Sequence, residues 1–284
     1  MRRGLRRLAP VLGLVPFLGY LTVFLLIPTV SVVVGAFVEK DRASLSNIRA
    51  LGDDVVLRTL WHSVQLSAES ALIGAVLGAL LAYAVVTGRP DGLLRRVVTS
   101  ACGVLAQFGG VTLAFAFIAT LGFSGIVTEA GRDVFGIDLF GSGWLFGLTG
   151  LTLVYTYFQV PLMVIVFLPS LDGMRSQWRE AAESLGASTW QFWRYVGGPL
   201  LLPAFLGATL LLFANAFAAY ATAAALVSQG SPILPLLIRN ALTSEIVLGQ
   251  SHLAFALALD MIAVVVVVMT MYALLLRRTS RWLR

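Results

Sequence analysis

The sequence predicts an all-α fold, a polytopic membrane protein with about six transmembrane helices and both termini in the cytoplasm. Three observations carry this. Of 284 residues, 58% are hydrophobic and only 12% are charged, and the mean hydropathy is +0.90; a soluble domain is about half apolar and about a quarter charged. Apolar runs recur at roughly the 20-residue length that crosses the ~30 Å hydrocarbon core. The basic residues fall alternately on two sides of the predicted spans, as the positive-inside rule requires.

The spans are placed at about 8–37, 60–87, 97–121, 144–169, 198–228 and 253–276. One side then collects Arg2, Arg3, Arg6, Arg7, Arg89, Arg95, Arg96, Arg175, Arg179, Arg194, Arg277, Arg278, Arg281 and Arg284. The other holds only Lys40, Arg42, Arg49, Arg58, Arg132 and Arg239. The net charge of +6 is therefore a topology signal and not a nucleic-acid surface. The first apolar run exceeds the roughly 7–15 residues of a cleaved signal core, so it predicts an uncleaved span. Pro10, Pro16 and Pro28 predict an interfacial turn before the span proper.

No linker divides the chain, which predicts a single membrane domain over 1–284 with a cytoplasmic loop at 170–197. The outer segments 39–58, 122–143 and 229–252 carry both charge signs. A short amphipathic helix is predicted at 125–135, and a re-entrant or interfacial helix after Pro232 and Pro235. Gly74 and Gly78 form a G-x-x-x-G, read as close helix packing.

Composition excludes several chemistries. Cys102 is the single cysteine, and His62 and His252 lie far apart, so no metal cluster is predicted. The only lysine, Lys40, has no G-x-x-x-x-G-K-[ST] around it, so the chain is not an ATPase. No Ser/His/Asp or Cys/His set stands at workable spacing. The chain is expected to be non-catalytic and to bind no cofactor.

The segment "SLDGMRSQWREAAESLGASTWQFWRYVGGPLLLP", 170–203, is unusual between two apolar runs. Helix formers fill Met174–Leu185, Gly186 suits the left-handed position that stops a helix, and Ser188 suits the N-cap of a second helix beginning at Thr189. An amphipathic linker lying on lipid needs no such corner and favours basic residues over Glu180 and Glu183. A short acidic helix held away from the bilayer fits a groove on another protein.

This segment resembles the EAA motif of ABC-importer permeases. Glu180, Ala181, Ala182 and Gly186 match at full spacing, Val196 takes the Ile place and Pro199 the Pro place. Gly198 stands where Leu is usual, which predicts a looser exit turn. The resemblance extends over nearly the whole six-span layout and is greatest to spermidine/putrescine-type permeases of the inner membrane. It implies that 174–189 is a coupling helix region seated on an ATP-binding subunit, with Glu180, Ala181, Ala182, Glu183, Gly186 and Pro199 as the coupling residues. It also implies two copies of that subunit, which hold ATP and Mg, a second and non-identical permease, and an extracytoplasmic solute-binding protein.

Ionisable groups inside spans mark function by default. Glu69 and Asp260 are such groups, Gln65 shares a helix face with Glu69, and Asn215 and Thr222 form a polar face of the fifth span with Tyr220 to the side. Two carboxylates with no basic residue in any span point to a cationic, polyamine-like solute. Sugar or glycerol-phosphate importers have related permeases. A cation- or proton-coupled secondary transporter also explains the acids but leaves the acidic loop unused, and a non-transporting scaffold would need no intramembrane acids.

Overall fold

A computed structural model describes residues 14–39, 42–89, 92–138, 140–141, 143–227, 233–243 and 251–280. Among the described residues, six stretches are long and apolar enough to cross a membrane: Leu14–Ala36, Asp54–Thr87, Gly110–Phe135, Leu148–Asp172, Thr189–Ala218 and Leu253–Leu274. Chain contacts divide the molecule into two compact units, Met1–Arg58 with Leu237–Ala263, and Thr59–Leu236 with Val264–Arg284.

The first unit begins with α1, Leu14–Ala36. The helix runs through Pro16 and Pro28, so no turn precedes the span among the described residues; Pro10 lies outside them. Pro28 is accommodated by a π turn at Thr22–Leu26, closed by the Ile27 N–H on the Thr22 carbonyl. A proline ring collides with the carbonyl four residues back, and widening the preceding turn by one residue moves that carbonyl aside. A two-residue antiparallel pairing, Val38–Glu39 with Arg42–Ala43, leads into α2, Ser46–Ala50. Buried Asn47 ties it down by donating to the Val38 carbonyl at 3.3 Å. Further along, Phe255 closes on Gly35, where an added Cβ would stand 2.8 Å from the ring.

The second unit is organised around α7, Leu148–Asp172, the most buried of the six stretches. The long α3, Asp54–Thr87, lies against it through Gly74 and Gly78. A Cβ at Gly74 would stand 2.5 Å from Gln159 Cβ, and one at Gly78 2.5 Å from Met163 Cβ. Ala71, Ala75 and Ala82 on α3 join Met163, Phe167, Leu168 and Leu171 on α7 in one core, which Leu201, Ala208 and Leu212 of α9, Thr189–Ala218, complete. Small residues let helix backbones approach where lipid gives no hydrophobic drive for association.

The predicted third span, 97–121, is not one helix. It is α4, Leu93–Leu105, and α5, Gly110–Leu121. The chain breaks at Ala106–Gly109, and Gly110 adopts φ +73°, a conformation L side chains disfavour. The predicted 198–228 span is also corrected: α9 begins at Thr189 and ends at Ala218, and α10 occupies Ala221–Leu226. The short helix predicted at 125–135 appears as α6, Ile126–Phe135, stopped by Gly136 at φ +65°. Beyond it, the Asp138 carboxylate accepts the Gly141 N–H, which holds its pKa below the ordinary value, with the Arg132 guanidinium adding to the effect. The helix predicted after Pro232 and Pro235 is α11, Leu234–Thr243, which begins one residue before Pro235; buried Ser63 of α3 accepts its first N–H, from Leu234, at 2.7 Å. The last span lies within α12, Ser251–Ser280.

The glycine seats yield the first test. Gly78→Leu should destabilise the protein by roughly 1–3 kcal/mol through overpacking, lowering the melting temperature in detergent. Gly103→Ala, where no atom lies within 4 Å of an added Cβ, should leave it unchanged or raised. Equal melting temperatures for Gly78→Leu and the parent chain would refute this close approach.

Candidate functional site

Between α7 and α9 stands α8, Ser176–Ser184, without one buried residue. Its end explains the spacing of the acidic motif. The Ala187 N–H donates to the Ala182 carbonyl at 3.0 Å, and the Gly186 N–H to the Glu183 carbonyl at 2.9 Å. This is the Schellman pair of bonds, with Ala182 third from the helix end and Gly186 just past it. The interval from Ala182 to Gly186 is thus set by helix-stop geometry, and Gly186 takes the left-handed φ of +77° that the stop requires. On the side of α8, Arg179 pairs with Glu183 at 3.0 Å, while Glu180 is solvent-exposed.

The chain restarts at once. Ser188 accepts the Gln191 N–H at 3.3 Å and the Gln191 side chain accepts the Ser188 N–H at 2.7 Å, a full capping box. After one turn the helix widens into a π turn at Trp193–Gly197, closed by the Gly198 N–H on the Trp193 carbonyl. Pro199 follows, the same arrangement that precedes Pro28. At Gly198 a Cβ would stand 2.6 Å from the Trp193 carbonyl oxygen. Glycine at 198 is what lets that carbonyl come so close in the widened turn. Trp193 meets Tyr83 of α3 edge to face at 5.3 Å, and Phe192 is buried. The corner itself stays uncovered, with Leu185 87% and Trp190 70% exposed.

The pathway candidates separate into three places. Gln65 donates to Glu69 at 2.8 Å, and Thr152 of α7 reaches the other Glu69 oxygen at 3.4 Å. These three make one polar patch on α3 and α7, with Gln65 and Glu69 exposed on a membrane-spanning surface. Asn215, Tyr220 and Thr222 do not share a continuous helix, because the chain breaks at Ala219–Tyr220. They nevertheless line one cavity of about 280 Å³ with Ala106, Gly109, Gly110 and Phe158. Asp260 stands in the first unit, half-buried on α12, and its Oδ2 has no hydrogen-bond partner among the described residues.

Two helix breaks meet at that cavity, and each is satisfied by a side chain. Gly110 donates its N–H to Thr222 Oγ1 at 3.0 Å, and the Tyr155 hydroxyl donates to the Ala219 carbonyl at 2.7 Å. One turn further along α7, buried Gln159 donates to the Leu212 carbonyl at 2.7 Å. Irregular backbone at membrane depth is tolerated where it is buried in protein or lines a cavity, and discontinuous spans surround solute sites in transporters. Tyr155, Gln159 and the Gly109–Gly110 doublet were missed in the sequence; the polar and glycine residues of "AQFGG" inside an apolar run were the available signal.

A profile of the binding-protein-dependent transport system inner membrane component family matches residues 74–281. The chain is 28% identical over 170 residues to the thiamine transport system permease protein ThiP of Salmonella typhimurium, covering 57% of this chain and 30% of that one. It is 26% identical over 235 residues to the spermidine/putrescine transport system permease protein PotC of Haemophilus influenzae, covering 78% and 83%. The chain spans about a third of the length of the curated relatives it matches first. Its fold is that of a chain in the crystal structure of a bacterial ABC transporter involved in the import of the acidic polysaccharide alginate, with a TM-score of 0.77, 15% identity and 98% of each chain covered. The family profile takes in most of the second unit and all of α12, and on that match this chain belongs to the family of binding-protein-dependent transport system inner membrane components.

Proposed function

We propose that the chain is the permease subunit of an ATP-driven importer and that α8 is its coupling helix. The observation that carries this reading is the exposed corner at 176–190: a rigid helix stop and a capped restart, with apolar Leu185 and Trp190 left uncovered beside acidic Glu180. Such geometry is costly in water and is stabilised once a partner covers it. On this reading ATP is hydrolysed on two ATP-binding subunits that also hold Mg. A second, non-identical permease completes the membrane part, and a solute-binding protein delivers the cargo on the far side. The charge asymmetry supports a cytoplasmic position for both termini, the 88–96 loop and α8. The whole chain acts as one permease domain of the inner membrane.

For the cargo we favour a small organic cation. The relatives ThiP and PotC are named for thiamine and for spermidine and putrescine, which all carry positive nitrogen. Glu69 offers a carboxylate braced by Gln65 and Thr152, in a span where an unmatched charge would be expensive. A neutral, sugar-like solute is the second reading, favoured by the cavity at Asn215, Tyr220 and Thr222, whose lining bears no charged side chain.

The partner assignment is tested by purifying the tagged chain in mild detergent and identifying co-eluting proteins by mass spectrometry. An ATP-binding subunit is expected; elution of the chain alone under complex-preserving conditions would defeat the importer reading. Glu180→Ala should abolish stimulation of ATP hydrolysis by the loaded binding protein while insertion persists. Gly186→Ala discriminates more finely. Nothing in this chain lies within 4 Å of an added Cβ there, so folding should lose only the roughly 1–2 kcal/mol of left-handed strain. A much larger loss of stimulation would come from the partner surface, whereas unchanged stimulation would place that surface elsewhere. Glu69→Gln and Asp260→Asn should each lower uptake of radiolabelled putrescine in proteoliposomes without lowering the amount of protein inserted. Uptake unchanged by both would leave the neutral-solute reading.

A further inference from the structure

Asp172 is the last residue of α7, and Arg95 lies in the first turn of α4. Each charge sits at the wrong end of its own helix. A helix C-terminus carries partial negative charge and an N-terminus partial positive charge, so local electrostatics disfavours an acid at Asp172 and a base at Arg95. What offsets both is the contact between them: the Arg95 guanidinium donates to the Asp172 carboxylate, with the side chains 25% and 38% exposed. Among the described residues the other ion pairs join positions four or six apart, Arg58–Asp54, Arg179–Glu183 and Arg132–Asp138. Arg95 and Asp172 are 77 apart and join two helices.

The position of the pair matters more than its strength, since partly exposed ion pairs contribute little net stability. Only Gly173, Met174 and Arg175 separate Asp172 from α8. That connection is wound tight, with the Gly173 N–H on the Pro169 carbonyl at 3.0 Å and the Met174 N–H on the Leu171 carbonyl at 3.1 Å. At its other end α4 runs into the break at Ala106–Gly109, and Ala106, Gly109 and Gly110 form a wall of the cavity. The ion pair therefore stands at the junction of a path from the exposed helix, through α4, to the polar cavity.

We propose that Arg95 and Asp172 are positioning residues that bind α4 to the root of α8, so that both move as one body and α4 carries the displacement to the cavity wall. The inference rests on the coupling role of α8 proposed above. It is tested on the full chain purified with its ATP-binding partner in nanodiscs. Cys102, the single cysteine, is replaced by Ala, and spin labels are placed at V97C on α4 and Q177C on α8. Double electron–electron resonance then reads their separation with and without trapping by ATP and orthovanadate. The parent pair should give one narrow distance, the same in both states. Asp172→Asn should broaden that distance and make it shift on trapping, and the reversed pair R95D/D172R should restore the narrow, invariant distance. The reversed pair also puts each charge at the favourable end of its helix, so it separates the link from a simple folding defect. If Asp172→Asn fails to assemble, the reversed pair decides alone: an invariant distance supports the link and a shifting one overturns it. A parent distance that itself shifts, or one unaltered by Asp172→Asn, overturns the link while leaving the coupling role of α8 intact. Absence of an ATP-binding partner, or stimulation unaffected by Glu180→Ala, removes the coupling role itself.

Discussion

In hydrocarbon no water stands ready to bond a free amide or carbonyl, and this constraint governs the second unit. Every helix break within its spans must be closed from inside the protein. Tyr155 takes the carbonyl freed at Ala219, Thr222 the amide freed at Gly110, and Ser63 the first amide of α11. These are long-range contacts, and each puts a polar side chain of one helix at the broken end of another. The cavity at Asn215 exists because two such breaks are satisfied side by side. Polar groups in a low-dielectric interior are costly when unpaired, so the same contacts that close the breaks also fix where the cavity can form.

α7 supplies much of this closure. Tyr155 and Gln159, four residues apart, lie on one helical stripe and hold the Ala219 and Leu212 carbonyls near the end of α9. Along the same stripe, Gln159 and Met163 receive the glycines of α3 at contact distance. The helix thus positions two neighbours by different means, hydrogen bonding to one and the absence of a side chain on the other. Its own prolines, Pro161 and Pro169, lie inside the helix, where neighbouring groups can satisfy the backbone that prolines leave free.

Much of this was legible in the sequence because the bilayer imposes length. The spans 60–87, 144–169 and 253–276 lie within observed helices or within a few residues of their ends, and the helix–glycine–helix corner follows from residues whose preferences are local: Gly186 for its φ, Ser188 and Gln191 for the cap. The short helix at Ile126–Phe135 was visible for the same reason, bounded by glycines. What was not legible was the interruption of otherwise apolar runs. "AQFGG" and "FAAYAT" read as continuous spans by hydropathy, since the chain breaks there only because Thr222 and Tyr155, distant in sequence, receive the freed groups. The close approach at Gly198 was not visible because it depends on a π turn that no propensity scale marks. The grouping of Asn215 with Thr222 was anticipated, yet on a helix face that does not exist; the cavity gathers them by another route.

The π turns have a consequence for anyone mapping this protein residue by residue. Each successive residue of an α-helix advances about 100° around the axis, and a π turn inserts one extra residue. In α9 the segment before Trp193 and the segment after Gly197 therefore belong to two helical wheels offset by about that angle, although they form one uninterrupted rod. A single wheel drawn from Thr189 to Ala218 would assign Leu201, Ala208 and Leu212 to the wrong quadrant relative to Phe192. α1 carries the same phase slip at Thr22–Leu26. Scanning substitutions along either helix must be read against two registers, with the origin reset just before Pro28 in α1 and just before Pro199 in α9.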